Sequence, residues 1–258
     1  MIIHDMEGEI QIGDTFRKPK FRNGSRLKTF DRVVANPMWN KTEFKEKDYD
    51  ADELDRFPKG AGFPGASSAD WGWMQIILAS LNKNGRAAVV LDTGAASRGS
   101  GTHNRSKERD VRRWFVEHDL FEGVIYLPEN LFYNTSAPGI IVVLNCAKPK
   151  GRQDKLFLIN ASREFVKGDP KNYVPEDAII RIADVFTAWR EMDKYSRTVA
   201  REEIAKNDYN ISPTRYINTE GAEAYRPIEE IVDELKVLEA EAAACDSILK
   251  TILKAMPV

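Results

Sequence analysis

Four runs of apolar, largely β-branched residues, each closed by Gly, Pro, Asn or Asp, constrain this chain more than any other feature. They are "FDRVVANP" from Phe30, "GRAAVVLDT" from Gly85, "FEGVIYLP" from Phe121 and "APGIIVVLNCA" from Ala137. Short continuous apolar runs of this kind read as strands buried on both faces, as in parallel sheets. Between the first two, "SADWGWMQIILASLN" places Trp71, Met74, Leu78 and Trp73, Ile76, Ile77, Leu81 at helical spacing. That periodicity predicts a largely buried helix, capped at Ser68 or Ala69-Asp70 and ended by Gly85. "ERDVRRWFVEHD" predicts a second amphipathic helix, and "DKLFLINAS" one more short strand. The βαβαββ succession predicts an α/β fold, with a mainly parallel sheet and a terminal antiparallel hairpin.

Composition narrows the function classes. With 258 residues, 42% of them hydrophobic, the chain has ample material for a core. No stretch approaches the roughly 20 apolar residues of a membrane span. The acidic start "MIIHDMEGEI" argues against an export signal and for the cytoplasm. Cys146 and Cys245 form no metal or redox spacing, and His4, His103 and His118 no ligand spacing. A net charge of −2 excludes a free-standing electrostatic DNA clamp.

The character of the chain changes after about residue 160. Pro175 followed by Glu176 and Asp177 marks a helix start. Farther on, Ile228, Ile231, Leu235, Leu238, Ala242, Cys245, Leu249 and Ile252 alternate three and four apart, a heptad seam that wants a partner.

The site is expected where "FDRVVANPMWN" breaks off. Val33, Val34 and Ala35 read as a fully buried strand, and Pro37, unable to donate to a ladder, must end it. An amide, a rigid kink and an aromatic ring then meet at a strand's carboxyl end, where open α/β sheets bind ligands. Elsewhere the plainer readings prevail. Asp92 caps a turn, Gly99 and Gly101 mark a mobile loop, and Lys107, Arg109, Arg112 and Arg113 form a solvated helix face.

Taken in order, "FDRVVANPMWN", "GRAAVVLDTG", "RDVRRWFVEHDLFEGVIYLPENLFYNTSAPGIIVVLN" and "REEIAKNDYNISPTRYI" resemble the modification subunit of type I restriction-modification systems, a family of adenine-specific DNA methyltransferases. The resemblance implies a Rossmann-like S-adenosylmethionine-dependent fold and transfer of a methyl group to the exocyclic nitrogen of a flipped-out adenine. It makes Asn36, Pro37 and Trp39 the catalytic loop: Trp39 stacks on the base, while the Asn36 side-chain oxygen and the Pro37 carbonyl accept from its amino group. Met38 stands where the family usually has a second proline. Phe132 and Tyr133 are candidates to grip the base, and Asp14 borders the cofactor or target pocket. The family's upstream loop, Asp-Pro-x-x-Gly-x-Gly, has no counterpart in this sequence.

The organisation expected from this resemblance is a partial catalytic domain over 1–160, lacking its amino-terminal strands and glycine loop. A helical and irregular extension over 161–220 and an assembly helix over 221–258 follow. The implied partners are a specificity subunit on that helix, a restriction subunit and duplex DNA, with homodimerisation when the chain is alone. Two alternatives stand: a remnant that only assembles, and methylation of a glutamine amide or an RNA adenine.

Overall fold

A computed structural model describes residues 7–101 and 106–219, with a few helical positions between 232 and 242. Residues 1–219 make one compact unit and 220–258 a second. In the second, Leu235, Leu238 and Ala242 of the heptad seam are helical and exposed. Ile228, Ile231, Cys245, Leu249 and Ile252 lie outside the described residues. No described helix is long and apolar enough to cross a membrane.

A small hairpin, β1 (Arg22–Asn23) and β2 (Arg26–Leu27), leads into a six-stranded sheet. Its strands are β3 (Phe30–Ala35), β4 (Leu81–Asp92), β5 (Phe121–Tyr126), β6 (Gly139–Asn145), β7 (Lys155–Asn160) and β8 (Ser196–Ala200). Their spatial order is β3-β4-β6-β5-β7-β8. Four strands run one way; β6 and β8 run the other. The sheet is therefore mixed. The expected hairpin exists as β5–β6, but β6 inserts between β4 and β5 and pairs antiparallel with both. Its sequence "GIIVVLN", buried at six of seven positions, suits that central place. The segment expected as a helical and irregular extension supplies β8 to this same sheet.

Side-chain alternation along the strands sends Val89, Leu91, Val142 and Leu144 to one face. There they meet Trp71 and Met74 of α2 (Asp70–Ala79), which follows the short α1 (Glu46–Asp50), Val111 and Phe115 of α3 (Lys107–Glu117), and Ile204 of a later helix. The opposite face packs Ile125, Phe157 and Ile159 against Ile182, Val185 and Phe186 of the helix Glu176–Ala188, which begins after Pro175 as expected. That cover does not extend over β3. Val34 is 84% exposed, so the strand expected to be fully buried is an open edge.

Helix α2 is largely buried, as its periodicity predicts, but ends at Ala79 rather than near Gly85. The Ser80 hydroxyl donates to the Ile76 carbonyl, and the Ser80 carbonyl accepts from the Phe30 N–H at 2.9 Å. Pairing with β3 thus begins before the glycine is reached. Ser68 does serve the helix start, its hydroxyl accepting from Asp70 N–H. In β5, the buried Glu122 carboxylate pairs with Arg86 at 2.5 Å and Arg152 at 3.0 Å, and accepts from the Asn145 amide. Without such partners, burying that charge would be prohibitive.

Candidate active site

The segment Asn36–Asn40 leaves the carboxyl end of β3 beside the end of β4. The Trp39 indole N–H lies 3.1 Å from both the Asn36 Oδ1 and the Val90 carbonyl. One donor thereby sets the Asn36 amide and ties the loop to the neighbouring strand. The Pro37 carbonyl accepts no hydrogen bond from the described residues. Among the described residues, nothing competes for its lone pairs.

Phe132 meets Trp39 edge to face, with centroids 4.7 Å apart and planes at 74°, a favoured aromatic geometry. Gly139 makes room for both rings. A Cβ there would sit 2.8 Å from Phe132 Cε2 and 3.2 Å from Trp39 Cη2. The loop carrying Phe132 is braced by Lys171, whose ammonium donates to Asn130 Oδ1 at 2.9 Å and to the Thr135 carbonyl at 3.1 Å. Tyr133, on the same loop, is 89% exposed and shares no ring contact with Trp39. Phe132 joins the loop's aromatic face; Tyr133 points into solvent.

Met38 is about half exposed and lines a groove of about 830 Å³ along the outer edge of β3, with Asn36, Pro37, Val34 and Ile77 among its walls. Such a volume falls in the usual range for small-molecule sites, about 300–1,000 Å³. Thr15 also lines it, but the Asp14 carboxylate turns back on its own chain. It accepts from Phe16 and Arg17 N–H and pairs with the Arg17 guanidinium. Burial pushes this carboxyl up, yet those bonds outweigh it and hold it below the ordinary range.

Three expectations need correction around α3. Lys107 and Arg113 are solvated, but Arg109 is 5% exposed and Arg112 wholly buried. Arg109 Nε donates to Asp208 at 2.8 Å. Arg112 donates to the carbonyls of Ala95, Arg98 and Tyr209 and to the Ser100 hydroxyl. Burial pulls its guanidinium down to about 10, so it stays charged at neutral pH. The Arg98–Gly101 loop is consequently fastened rather than loose. Gly101 N–H and Ser100 Oγ also bond to Asp208. Asp92 does cap, accepting from Gly94 N–H at 3.2 Å.

Sequence reasoning missed Arg98, Asn40 and Asp70, which meet beside this loop. The one available signal was an acid at a helix start, a feature too common to point to this cluster.

The sequence profile of N-6 DNA methylases matches residues 1–224. This chain belongs to the N-6 DNA methylase family. It is 39% identical over 228 residues to the type I restriction enzyme MjaVII methylase subunit of Methanocaldococcus jannaschii, covering 84% of this chain and 37% of that protein. The MjaVIII methylase subunit of the same organism is 37% identical over 242 residues, with 91% and 40% covered. Among solved structures, the type I restriction-modification methyltransferase subunit from Streptococcus thermophilus superposes with a TM-score of 0.69 at 28% identity, covering 80% of this chain and 41% of that one. The resemblance to modification subunits and the S-adenosylmethionine-dependent methyltransferase fold are both borne out. This chain spans less than half the length of these relatives.

Fold and family imply S-adenosylmethionine, but the described residues do not fit a full cradle for it. The space beside Gly94 is filled by the Arg98 guanidinium, and that beside Gly99 by Ser106. No described glycine lines the groove along β3.

Proposed function

We propose that this chain receives and orients the target adenine of duplex DNA within a type I restriction-modification methyltransferase, with most of the methyl donor's cradle supplied from beyond the described residues. The observation that carries the reading is the Asn36–Trp39 loop. A ring, an amide oxygen fixed by that ring's own N–H, and an open carbonyl converge at a strand's carboxyl end. The family match favours DNA adenine over a glutamine amide or RNA adenine.

Taking the base out of the stack costs about a few kcal/mol. Stacking on Trp39 offsets about 1–3 kcal/mol of it, and Phe132 supports the platform edge-on. Asn36 Oδ1 has one lone pair engaged by Trp39 and a second for an amino hydrogen; the Pro37 carbonyl takes the other hydrogen. Two acceptors pull the amino nitrogen towards tetrahedral geometry and make its lone pair available. No strong base is needed, because the proton becomes acidic once the nitrogen is alkylated. S-adenosylmethionine, when bound, supplies the electrophilic methyl group.

Around this centre we assign Tyr133 to the nucleic acid as an exposed aromatic, and Asp14 to the border of the cofactor and target pocket through its neighbour Thr15. The segment 221–258, expected from its heptad pattern to be an assembly helix, docks a specificity subunit, which chooses the sequence, and the restriction subunit joins the same cytoplasmic complex. Without a specificity subunit, the exposed Leu235 and Leu238 favour self-association.

Met38→Pro tests the loop. Met38 N–H makes no hydrogen bond among the described residues, so proline breaks none of those while it restricts the chain. Replacement at a compatible position is worth about 0.4–1 kcal/mol, and the methylation rate of the assembled enzyme should rise about two- to fivefold on that scale. An unchanged or lower rate would count against the pre-organisation argument.

The base reading is tested with a duplex carrying 2-aminopurine at the target adenine, mixed with this chain and its cognate specificity subunit. Fluorescence should rise on binding, and Trp39→Ala should alter the plateau. No rise with the native chain would sink the reading. Calorimetric titration of the chain alone with S-adenosylmethionine is expected to give no heat; micromolar binding, about −8 kcal/mol, would place a donor site within this chain.

A further inference from the structure

The Arg98 guanidinium stands where four segments meet, and all five of its N–H donors are engaged. Nε donates to Glu108 Oε2 at 2.9 Å, and one terminal nitrogen to Asp92 at 2.9 Å and Asn40 Oδ1 at 3.1 Å. The other donates to Asp70 at 2.5 Å and Ser68 Oγ at 3.2 Å. Asp70 and Glu108 are 0% and 1% exposed, so neither carboxylate is tolerable there without the arginine. Burial pushes the Glu108 carboxyl up even so, against the pull of the Arg98 charge.

A buried ion cluster ordinarily serves the fold alone. Asn40 makes this one different. It directly follows Trp39, adopts a left-handed φ of 53°, and sends three groups into the cluster. Its N–H donates to Asp70 at 2.9 Å, its Oδ1 accepts from Arg98, and its amide nitrogen lies 3.4 Å from Asp92. The residue after the ring is thereby clamped in backbone and side chain, while the ring's own N–H sets the Asn36 amide.

We propose that Arg98 is a positioning residue for the target-base loop, acting through Asn40 to fix the Trp39 ring and hence the Asn36 amide oxygen. Gly94 is part of the arrangement, since a Cβ there would sit 2.5 Å from the Arg98 terminal nitrogen. The inference rests on the reading of residues 36–39 as the base-receiving loop, but the clamp itself is a property of the free protein.

The test uses the full chain labelled with 15N-tryptophan. Its five indole resonances are followed by hydrogen exchange, with Trp39 assigned by its loss in Trp39→Phe. Arg98→Lys keeps the charge but not the planar fork. Asn40→Gly leaves every carboxylate paired and tolerates the left-handed backbone, so it decides the matter if Arg98→Lys does not fold. Both variants should speed exchange at the Trp39 indole about tenfold, the scale of one lost hydrogen bond, with the other indoles unchanged. In the assembled enzyme, kcat should fall about 10- to 100-fold, as for a small misplacement of a reacting group, with KM for DNA unmoved. Unchanged Trp39 exchange in Asn40→Gly overturns the clamp, whatever kcat does. Faster exchange with unchanged kcat overturns the positioning role and counts against the base-receiving loop as well. A loss confined to KM assigns Arg98 to DNA binding and overturns the proposal.

Discussion

Asn36→Ala should lower kcat for adenine methylation in the assembled enzyme by about 10²–10³-fold, the loss seen when one fixed polar group that stabilises a developing charge is removed. The expectation is sharp because the substitution leaves the platform in place. The Trp39 indole keeps the Val90 carbonyl at 3.1 Å as its acceptor, and Phe132 still meets its ring. Binding of the flipped base should therefore persist, with the 2-aminopurine signal within about twofold of native, since stacking supplies most of that energy. A kcat within about tenfold of native would show that Asn36 is not an essential acceptor, since that is less than one fixed group is worth. A parallel loss of the fluorescence signal would show instead that it shapes the pocket.

The second large effect concerns stability. Arg112→Met should destabilise the 1–219 unit by about 3–5 kcal/mol, because the Arg98 and Tyr209 carbonyls and the Ser100 hydroxyl lose this donor and the Ala95 carbonyl is left with the Trp71 indole alone, at about 1 kcal/mol or more for each buried group. Methionine fills much of the volume, so lost packing contributes little. The acceptors at Ala95, Arg98 and Tyr209 belong to segments more than 100 residues apart at the extremes, and this one side chain joins them. Urea unfolding followed by circular dichroism reads the loss directly. A change under about 1 kcal/mol would mean that water satisfies those carbonyls and that the arginine is replaceable.

Much of the fold was legible because local pattern and final environment agree. "GIIVVLN" and "KLFLIN" are apolar on successive positions and lie between two covered faces. Asn-Pro after Ala35 stops β3 for the reason the imino ring dictates. The buried arginines were not legible. On α3, Arg109 and Arg112 share the spacing of an ordinary charged face, and what buries them is supplied by Asp208, Tyr209 and the Ala95–Ser100 turn. Nothing near them in sequence announces those acceptors. The early end of α2 is similar, since it depends on Phe30, fifty residues upstream, capturing the Ser80 carbonyl. "SRTVA" joins the sheet as β8 without an apolar run, because an edge strand needs only one buried side and a neighbour's hydrogen bonds. In the candidate site, the loop's residue types were readable. The clamp behind them was not, since it is assembled from positions 40, 70, 92, 98 and 108.

The antiparallel β6 between β4 and β5 has a consequence for how the protein is made. A ribosome releases β4 and β5 first, yet the two cannot pair with each other, because their shared neighbour is encoded after both. From Tyr126 to Asn145, at ordinary rates of synthesis, the growing chain waits roughly 1–4 s with two apolar strand edges bare. Codons or substitutions that slow translation across residues 127–145 lengthen that interval.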